Sequence, residues 1–480
     1  MLFSSLAFLP FLATTLAVYW GLSATFRGER RRVLQHALLV AASYWFYMSW
    51  NAKLLFLIVG TTCFDWLAAR LIDRASTAGL RRLLLAASIV CNLGVLGLFK
   101  YANFFLENLD LAASFVGLQV DFIVHVVLPV GISFYTFESL SYVIDVYHRR
   151  TPPIRSLLDY AVFISFFPHL VAGPIVRVRD FAPQLMKAMS PTDVNVRMAL
   201  YRFLLGMTKK VLISDCIATI ADPVFANPSA YGTAGVWAGV VAYACQIYCD
   251  FSGYTDMAIG IALLFGYRLP ENFDMPYLAR NITEFWHRWH ITLSTWLRDY
   301  LFIPLGGSRT TPGRMRRSLL IVMLLGGLWH GASWTFVTWG AWHGLGLVAH
   351  KEWLRLKRAS TPFPAVPAFA RAFAASATTL AFVVVGWVFF RAQTLGSAAA
   401  MLRTMFVFDG TASVPLVPAL VAPLLLMVVG HALGVLRGGR DEFAGPRMPS
   451  LVQACACGVV IAGLVLFAPD ATQPFIYFQF

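Results

Sequence analysis

Charge is the scarce ingredient of this 480-residue chain, in which only 13% of the residues are Asp, Glu, Lys or Arg. Soluble domains carry about 25%. With 58% hydrophobic and 15% aromatic residues, too little polar surface remains to cover a soluble core of this size. The mean hydropathy of +0.67 also excludes disorder, which requires few apolar residues. Cysteine is sparse, and the seven thiols lie within apolar runs, where they read as small hydrophobes. Cys245 and Cys249 share a helical spacing but lack companion ligands, so no metal site is expected. There is no P-loop, no dinucleotide fingerprint and no G-x-S-x-G elbow. The chain belongs in a lipid bilayer.

What charge there is has a pattern. The excess of 38 Lys and Arg over 24 Asp and Glu gives +14, and the basic residues stand in short runs between apolar stretches. That is the positive-inside signature rather than a nucleic-acid footprint. At about 20 apolar residues per crossing, crossings are expected near 2–24, 34–50, 53–72, 83–99, 124–146, 235–265, 373–390, 413–436 and 451–468. Arginines follow the first apolar run instead of preceding it, so a retained first crossing is expected, not a cleaved signal. The basic runs at 27–32, 70–82, 149–155, 177–187 and 309–317 are assigned to the cytoplasm. Both termini are assigned to the outside. Two apolar stretches, 160–176 with Pro168 and Pro174, and 319–350 with Gly326, Gly327 and Gly331, have basic residues on both flanks. Each reads as a re-entrant segment, the second broken at its glycines. Non-helical backbone at that depth must be surrounded by protein or line a watery cavity. With no linker or repeat, the expectation is one all-α, polytopic membrane domain over residues 1–480.

Ionisable residues at membrane depth are functional candidates by default. The richest run starts at Asn281, an N-cap paired with Glu284, and continues as an amphipathic helix with His287, Arg288, His290, Arg298 and Asp299. An interfacial helix on the inner leaflet is the alternative reading. A second cluster sets His330 between Gly326-Gly327 and Gly331, with Trp329 and Trp334 to wall the space and His343 beyond. Glycines there allow another backbone or a ligand to come close. Along a continuous helix His330 and His343 would be roughly 20 Å apart, so only a fold-back brings them together. His290 is linked to His330 through residues 304–309 and is free to converge on it. A third cluster, 246–256, carries Asp250 and Asp256, read chiefly as partners of arginines from cytoplasmic helices. A fourth carries Pro129, Gly131, Glu138 and Asp145.

A neutral imidazole in a dry pocket suits general-base catalysis near pH 7. Transfer of an acyl group from a thioester to an alcohol needs proton removal, positioning and a donor for the developing oxyanion. The 329–331 Trp-His-Gly motif, with the stretches 284–294, 246–256, 128–145 and 163–177, resembles the membrane-bound O-acyltransferase superfamily. The bacterial alginate O-acetyltransferase type is the branch it resembles, and the likeness runs almost from end to end. One departure is His287, where relatives usually have arginine.

This resemblance implies a helical ring with re-entrant segments around a funnel, in the bacterial inner membrane. It implies His330 as the catalytic histidine and His290 as its polar partner. It further implies O-acetylation of an extracytoplasmic polysaccharide, with help from a periplasmic esterase-like acetyltransferase partner. The donor would be acetyl-CoA or an acyl-carrier thioester, used as substrate and not as a bound cofactor. Arg288, Arg298 and Arg309 would line the cytoplasmic mouth and attract donor phosphates, with Asp250 also placed in the funnel. Tyr477 is either an interfacial aromatic anchor or a relay for the acyl group. Two rival functions remain: D-alanyl transfer to teichoic acid from a carrier protein, and transport of an anionic solute. The paired broken repeats of many transporters are not found.

Overall fold

A computed structural model describes residues 1–118, 127–357, 367–407, 418–436, 450–467 and 475–476. Among these residues the regular structure is helical, with one isolated antiparallel bridge, Phe273 to Trp289. The first ten helices are α1 (Phe8–Thr25), α2 (Gly28–Met48), α3 (Leu55–Arg74), α4 (Ala78–Leu96), α5 (Ala102–Ser114), α6 (Ile132–Tyr147), α7 (Leu157–Ser165), α8 (Phe167–Leu170), α9 (Val178–Leu185) and α10 (Val196–Met207). Then come α11 (Cys216–Ala226), α12 (Thr233–Leu264), α13 (Ile282–Arg288), α14 (Ile291–Leu297), α15 (Pro312–His330), α16 (Trp334–Lys357), α17 (Ala368–Arg391), α18 (Leu395–Phe406), α19 (Pro418–Leu436) and α20 (Ser450–Phe467). Among the described residues, four helical stretches are long and apolar enough to cross a membrane: Phe8–Thr25, Ala52–Arg74, Ala78–Ser114 and Ala368–Arg391. The chain divides into two compact units, residues 1–203 with 255–270, and residues 204–254 with 271–480.

In the first unit the apolar helices carry few charges, and the buried ones are partnered. Asp159 accepts from Arg32 at 2.8 Å and pairs with His36 at 2.8 Å. Asp256 pairs with Arg202 at 2.5 Å, as the sequence suggested for the acids of that cluster. The expected break in 160–176 is present. Helix α7 stops at Ser165, α8 is a single turn, and the chain beyond it is not helical although it is buried. Its freed backbone groups are met by side chains: Phe167 N–H donates to Ser43 Oγ at 3.0 Å, and Val176 N–H to Glu138 Oε1 at 2.8 Å. That is how unwound backbone is tolerated away from water. Gly131 starts α6 with φ of +74°, and a Cβ there would fall 2.3 Å from the Leu170 carbonyl oxygen. Only glycine fits both constraints.

The second unit is organised by a helical hairpin. A Cβ on Gly327 would fall 2.2 Å from the Phe336 carbonyl oxygen, and one on Gly340 2.3 Å from that of Met323. These contacts, with Gly344 against Leu320, run α15 and α16 antiparallel in close contact. The expected fold-back is therefore real, but its position differs from the sequence reading. Helix α15 continues through Gly326 and Gly327 and ends only at His330. Instead of a break, Gly327 gives close contact with α16 and Gly326 faces Leu297 of α14, and the turn is confined to residues 331–333.

Candidate active site

His330 is the last residue of α15, placed at the turn by the hairpin glycines. Gly331 is extended, and a Cβ on it would collide with the Phe336 ring at 2.2 Å. Ser333 starts α16, its hydroxyl accepting from Thr335 N–H at 3.3 Å. The His330 ring is buried among the rings of Trp329, Trp339 and Phe390, with centroids 4.9, 5.0 and 5.1 Å away. Trp329 thus provides the expected wall. Trp334 is 53% exposed at the start of α16, and Trp339 and Phe390 complete the enclosure. His343 lies one turn beyond Trp339 on α16, with centroids 4.8 Å apart.

His290 comes to the same place, its ring centroid 6.5 Å from that of His330. The single amphipathic helix expected through this region is divided here. Helix α13 begins as anticipated, with Asn281 Oδ1 accepting from Glu284 N–H at 2.9 Å, but it stops at Arg288, and α14 starts after His290. The cause is pairing with another segment. Ile291 N–H donates to the Asn272 carbonyl at 3.0 Å, and Asp274 N–H to that of Arg288 at 3.0 Å. Between these bonds His290 adopts φ +43° and ψ +55°, a left-handed conformation that costs about 1–3 kcal/mol for such a residue.

The same asparagine fixes the tautomer of the ring. Asn272 Oδ1 accepts from Thr292 N–H at 3.2 Å and from the Thr292 hydroxyl at 2.7 Å. A backbone N–H can only donate, so this atom is the amide oxygen. His290 Nδ1 lies 3.3 Å from it and must carry the proton. Nε2 therefore presents a lone pair, and it is buried with no hydrogen-bond partner among the described residues. The indole N–H groups of Trp286 and Trp339 are likewise buried and unpartnered among those residues. Asn272 was missed by the sequence reading, and its only signal is an amide in an otherwise irregular stretch, 271–275.

The same unit holds a cavity of about 530 Å³, lined by Trp286, His287, Ile291, Ser294, Arg298, Met323 and Lys351 among others, but by neither His290 nor His330. Of the three arginines expected at a mouth, Arg298 lines it and pairs with Asp299 at 2.7 Å. Arg288 is held by Glu284 at 2.9 Å and lies 3.6 Å from Asp274. Arg309 is exposed and outside the lining. Lys351 takes a place the sequence reading gave to arginine. Its signal was the i, i+4, i+8 series from His343 through Leu347.

Asp250 is buried at a different post from the one expected. Its cation is not an arginine but Lys210, at 2.7 Å, which also reaches Asp215 at 2.8 Å. The second oxygen of Asp250 accepts from the backbone N–H of Ile476 at 2.7 Å. Phe475 packs on Tyr254 and Phe251, with centroids 4.9 and 5.8 Å away, and Phe251 stands edge-on to His290 at 4.6 Å. Residues 475 and 476 are thereby tied into this unit. Tyr477 lies outside the described residues.

Leucine in place of Asn272 would leave three buried donors unmatched. Asn272→Leu should destabilise the protein by about 2–3 kcal/mol, read as a lower unfolding temperature in detergent. Equal melting of Asn272→Leu and the parent would remove Asn272 from this role.

The arrangement can be set beside known proteins. The sequence model of the membrane-bound O-acyltransferase family matches residues 148–387. A probable alginate O-acetylase, AlgI, of Azotobacter vinelandii is 40% identical over 100% of both chains. Its counterpart in Pseudomonas aeruginosa is 45% identical over 85% of this chain and 75% of its own. A peptidoglycan O-acetyltransferase of Helicobacter pylori is 38% identical over 78% of this chain and 74% of its own.

Proposed function

Because the chain belongs to the membrane-bound O-acyltransferase family and is an acyltransferase, we propose that it O-acetylates an extracytoplasmic polysaccharide. The acetyl group would come from a cytoplasmic thioester, acetyl-CoA or an acyl carrier. The observation that carries this reading is the pair of buried imidazoles with centroids 6.5 Å apart, one with its Nε2 lone pair fixed and unpartnered among the described residues. The names of the relatives favour acetyl over D-alanyl transfer. They also favour a polysaccharide acceptor, and the end-to-end match of the Azotobacter vinelandii protein supports one domain over the whole chain.

In this reading His330 is the general base. The acceptor hydroxyl gives its proton to the His330 imidazole as its oxygen attacks the thioester carbonyl. The tetrahedral intermediate collapses with loss of the thiolate, which takes the proton back, leaving an ester and a free thiol. His290 acts with His330 through its Nε2, an acceptor for the second N–H of the imidazolium formed midway. The centroid separation leaves room for one bridging oxygen between the rings at ordinary hydrogen-bond lengths, about 2.8 Å. The Trp339 N–H, a donor without an acceptor among the described residues, suits the developing oxyanion. Arg298 and Lys351 would attract donor phosphates. A ring of helices around a funnel, inner-membrane insertion with both termini outside, and a periplasmic esterase-like partner belong to the same proposal.

His330→Ala should abolish glycan O-acetylation in cells that express it at the parental level, measured as base-releasable acetate. Normal ester content would overturn the assignment, and alanine in place of acetate would shift it to D-alanyl transfer. Trp339→Phe keeps the aromatic wall but removes one oxyanion donor, for an expected loss of about 10²-fold in turnover. An unchanged rate would leave that role unfilled.

The buried seat of Phe475 and Ile476 also supports a relay at Tyr477, in which its phenol oxygen accepts the acetyl group and yields it to the glycan. Tyr477→Phe keeps the aromatic ring and should stop acetylation if the hydroxyl carries the group. Full activity in that variant would make the residue an anchor.

A further inference from the structure

The first unit holds a second cavity, far in sequence from the histidines. It is about 460 Å³ and is enclosed by the end of α3, the start of α4 and the end of α6, with Ser76, Arg81, Tyr147, His148 and Arg149 in its lining. We propose that this cavity binds the phosphate of an anionic phospholipid.

Positive-inside topology accounts for basic residues at the ends of membrane helices, but not for how these are arranged. Several half-buried cations of this unit face acids, as Arg32 faces Asp159 and Arg202 faces Asp256, while Arg31 and Arg70 bond backbone carbonyls. Even the adjacent Arg150 pairs with Asp145 at 3.1 Å. The lining of this cavity contains no carboxylate, and neither Arg81 nor Arg149 has an acidic partner among the described residues.

Arg81 is pinned before any ligand arrives. Its Nη2 donates to the Tyr147 carbonyl at 2.5 Å, and its guanidinium carbon lies 5.3 Å from the centre of the Tyr147 ring. Its Nε–H is buried with no partner among the described residues. A guanidinium held in this way loses little further side-chain entropy on meeting a phosphate, and its planar fork matches phosphate oxygens. Arg149 is set at the cavity by a left-handed backbone with φ of +58°, stabilised by its N–H donating to the Val146 carbonyl at 3.0 Å.

The surroundings favour a lipid over a soluble phosphate. The cavity lies at the ends of two stretches apolar enough to span a bilayer, Ala52–Arg74 and Ala78–Ser114. From it Leu80, Leu83 and Val90 continue along α4 as exposed apolar residues, at the spacing of one helical face. A phosphate held by Arg81 and Arg149 would direct its acyl chains down that face. Basic pockets between membrane helices recognise anionic headgroups in this way.

The test uses the full chain, purified and stripped of lipid, with binding of phosphatidylglycerol, phosphatidylcholine and inorganic phosphate measured by native mass spectrometry. Phosphatidylglycerol should bind and phosphatidylcholine should not. Arg149→Gly preserves the left-handed backbone and should weaken phosphatidylglycerol about fivefold, at about 1 kcal/mol per cation. Adding Arg81→Ala should bring the loss to about 25-fold. Equal binding of the two lipids, or no change in Arg149→Gly, would overturn the site. Inorganic phosphate binding as tightly as phosphatidylglycerol would overturn the lipid and leave an anion site. Acetyl transfer does not enter the readout, so this result is independent of the proposed reaction.

Discussion

The candidate site depends on what one asparagine does to one histidine. His290 sits in a backbone conformation that a side chain of its kind adopts at a cost of about 1–3 kcal/mol. The carbonyl of Asn272 accepts from Ile291, and its side chain accepts from Thr292 twice while facing His290 Nδ1. At roughly 1 kcal/mol net for each such bond, these contacts are of the size needed to offset the strain. They also decide the chemistry, since a ring held by Nδ1–H has only Nε2 to offer. Were the 281–300 run one continuous helix, His290 would follow the helical face of its neighbours and its Nδ1 would have no fixed acceptor.

The hairpin supplies the other imidazole by a different physical device. Close contact of α15 and α16 requires that no Cβ stand at 327 or 340, and it brings the end of α15 against the aromatic side chains of α16 and α17. His330 is thereby walled by Trp339 and Phe390, residues that a linear reading cannot associate with it. Such a wall excludes water, which strengthens every electrostatic interaction within it.

Periodicity and length were enough to read the helices, the retained fold-back and the broken stretch after α7, because apolar spacing reports directly on which backbone can be buried. The pairing of distant polar groups was legible only in part. Glycines at 326–327 read equally as a break or as a contact surface, and only the presence of α16 decides between them. The Asp250 partner was expected to be arginine because arginine dominates the basic runs. The structure uses Lys210 from the π-helical stretch Thr208–Asp215, whose added residue per turn shifts side-chain directions in a way that sequence spacing does not show. Asn272 was invisible for a related reason: its importance comes from hydrogen bonds to residues nearly 20 positions away.

Lys210 bonds both Asp215 and Asp250, and buried carboxylates are stable only with several donors; for Asp250 one of these is the backbone N–H of Ile476. The next residue after Asp250 is Phe251, which touches both Phe475 and the ring of His290. Electrostatic need and aromatic packing thus meet on adjacent residues of α12. The seat of the chain's end and one wall of the imidazole cannot be altered separately, because a displacement that relieved Asp250 would also move Phe251. A carboxylate that the sequence reading paired with an arginine is, in the folded chain, the point at which residues 475 and 476 join α12 next to the ring of His290.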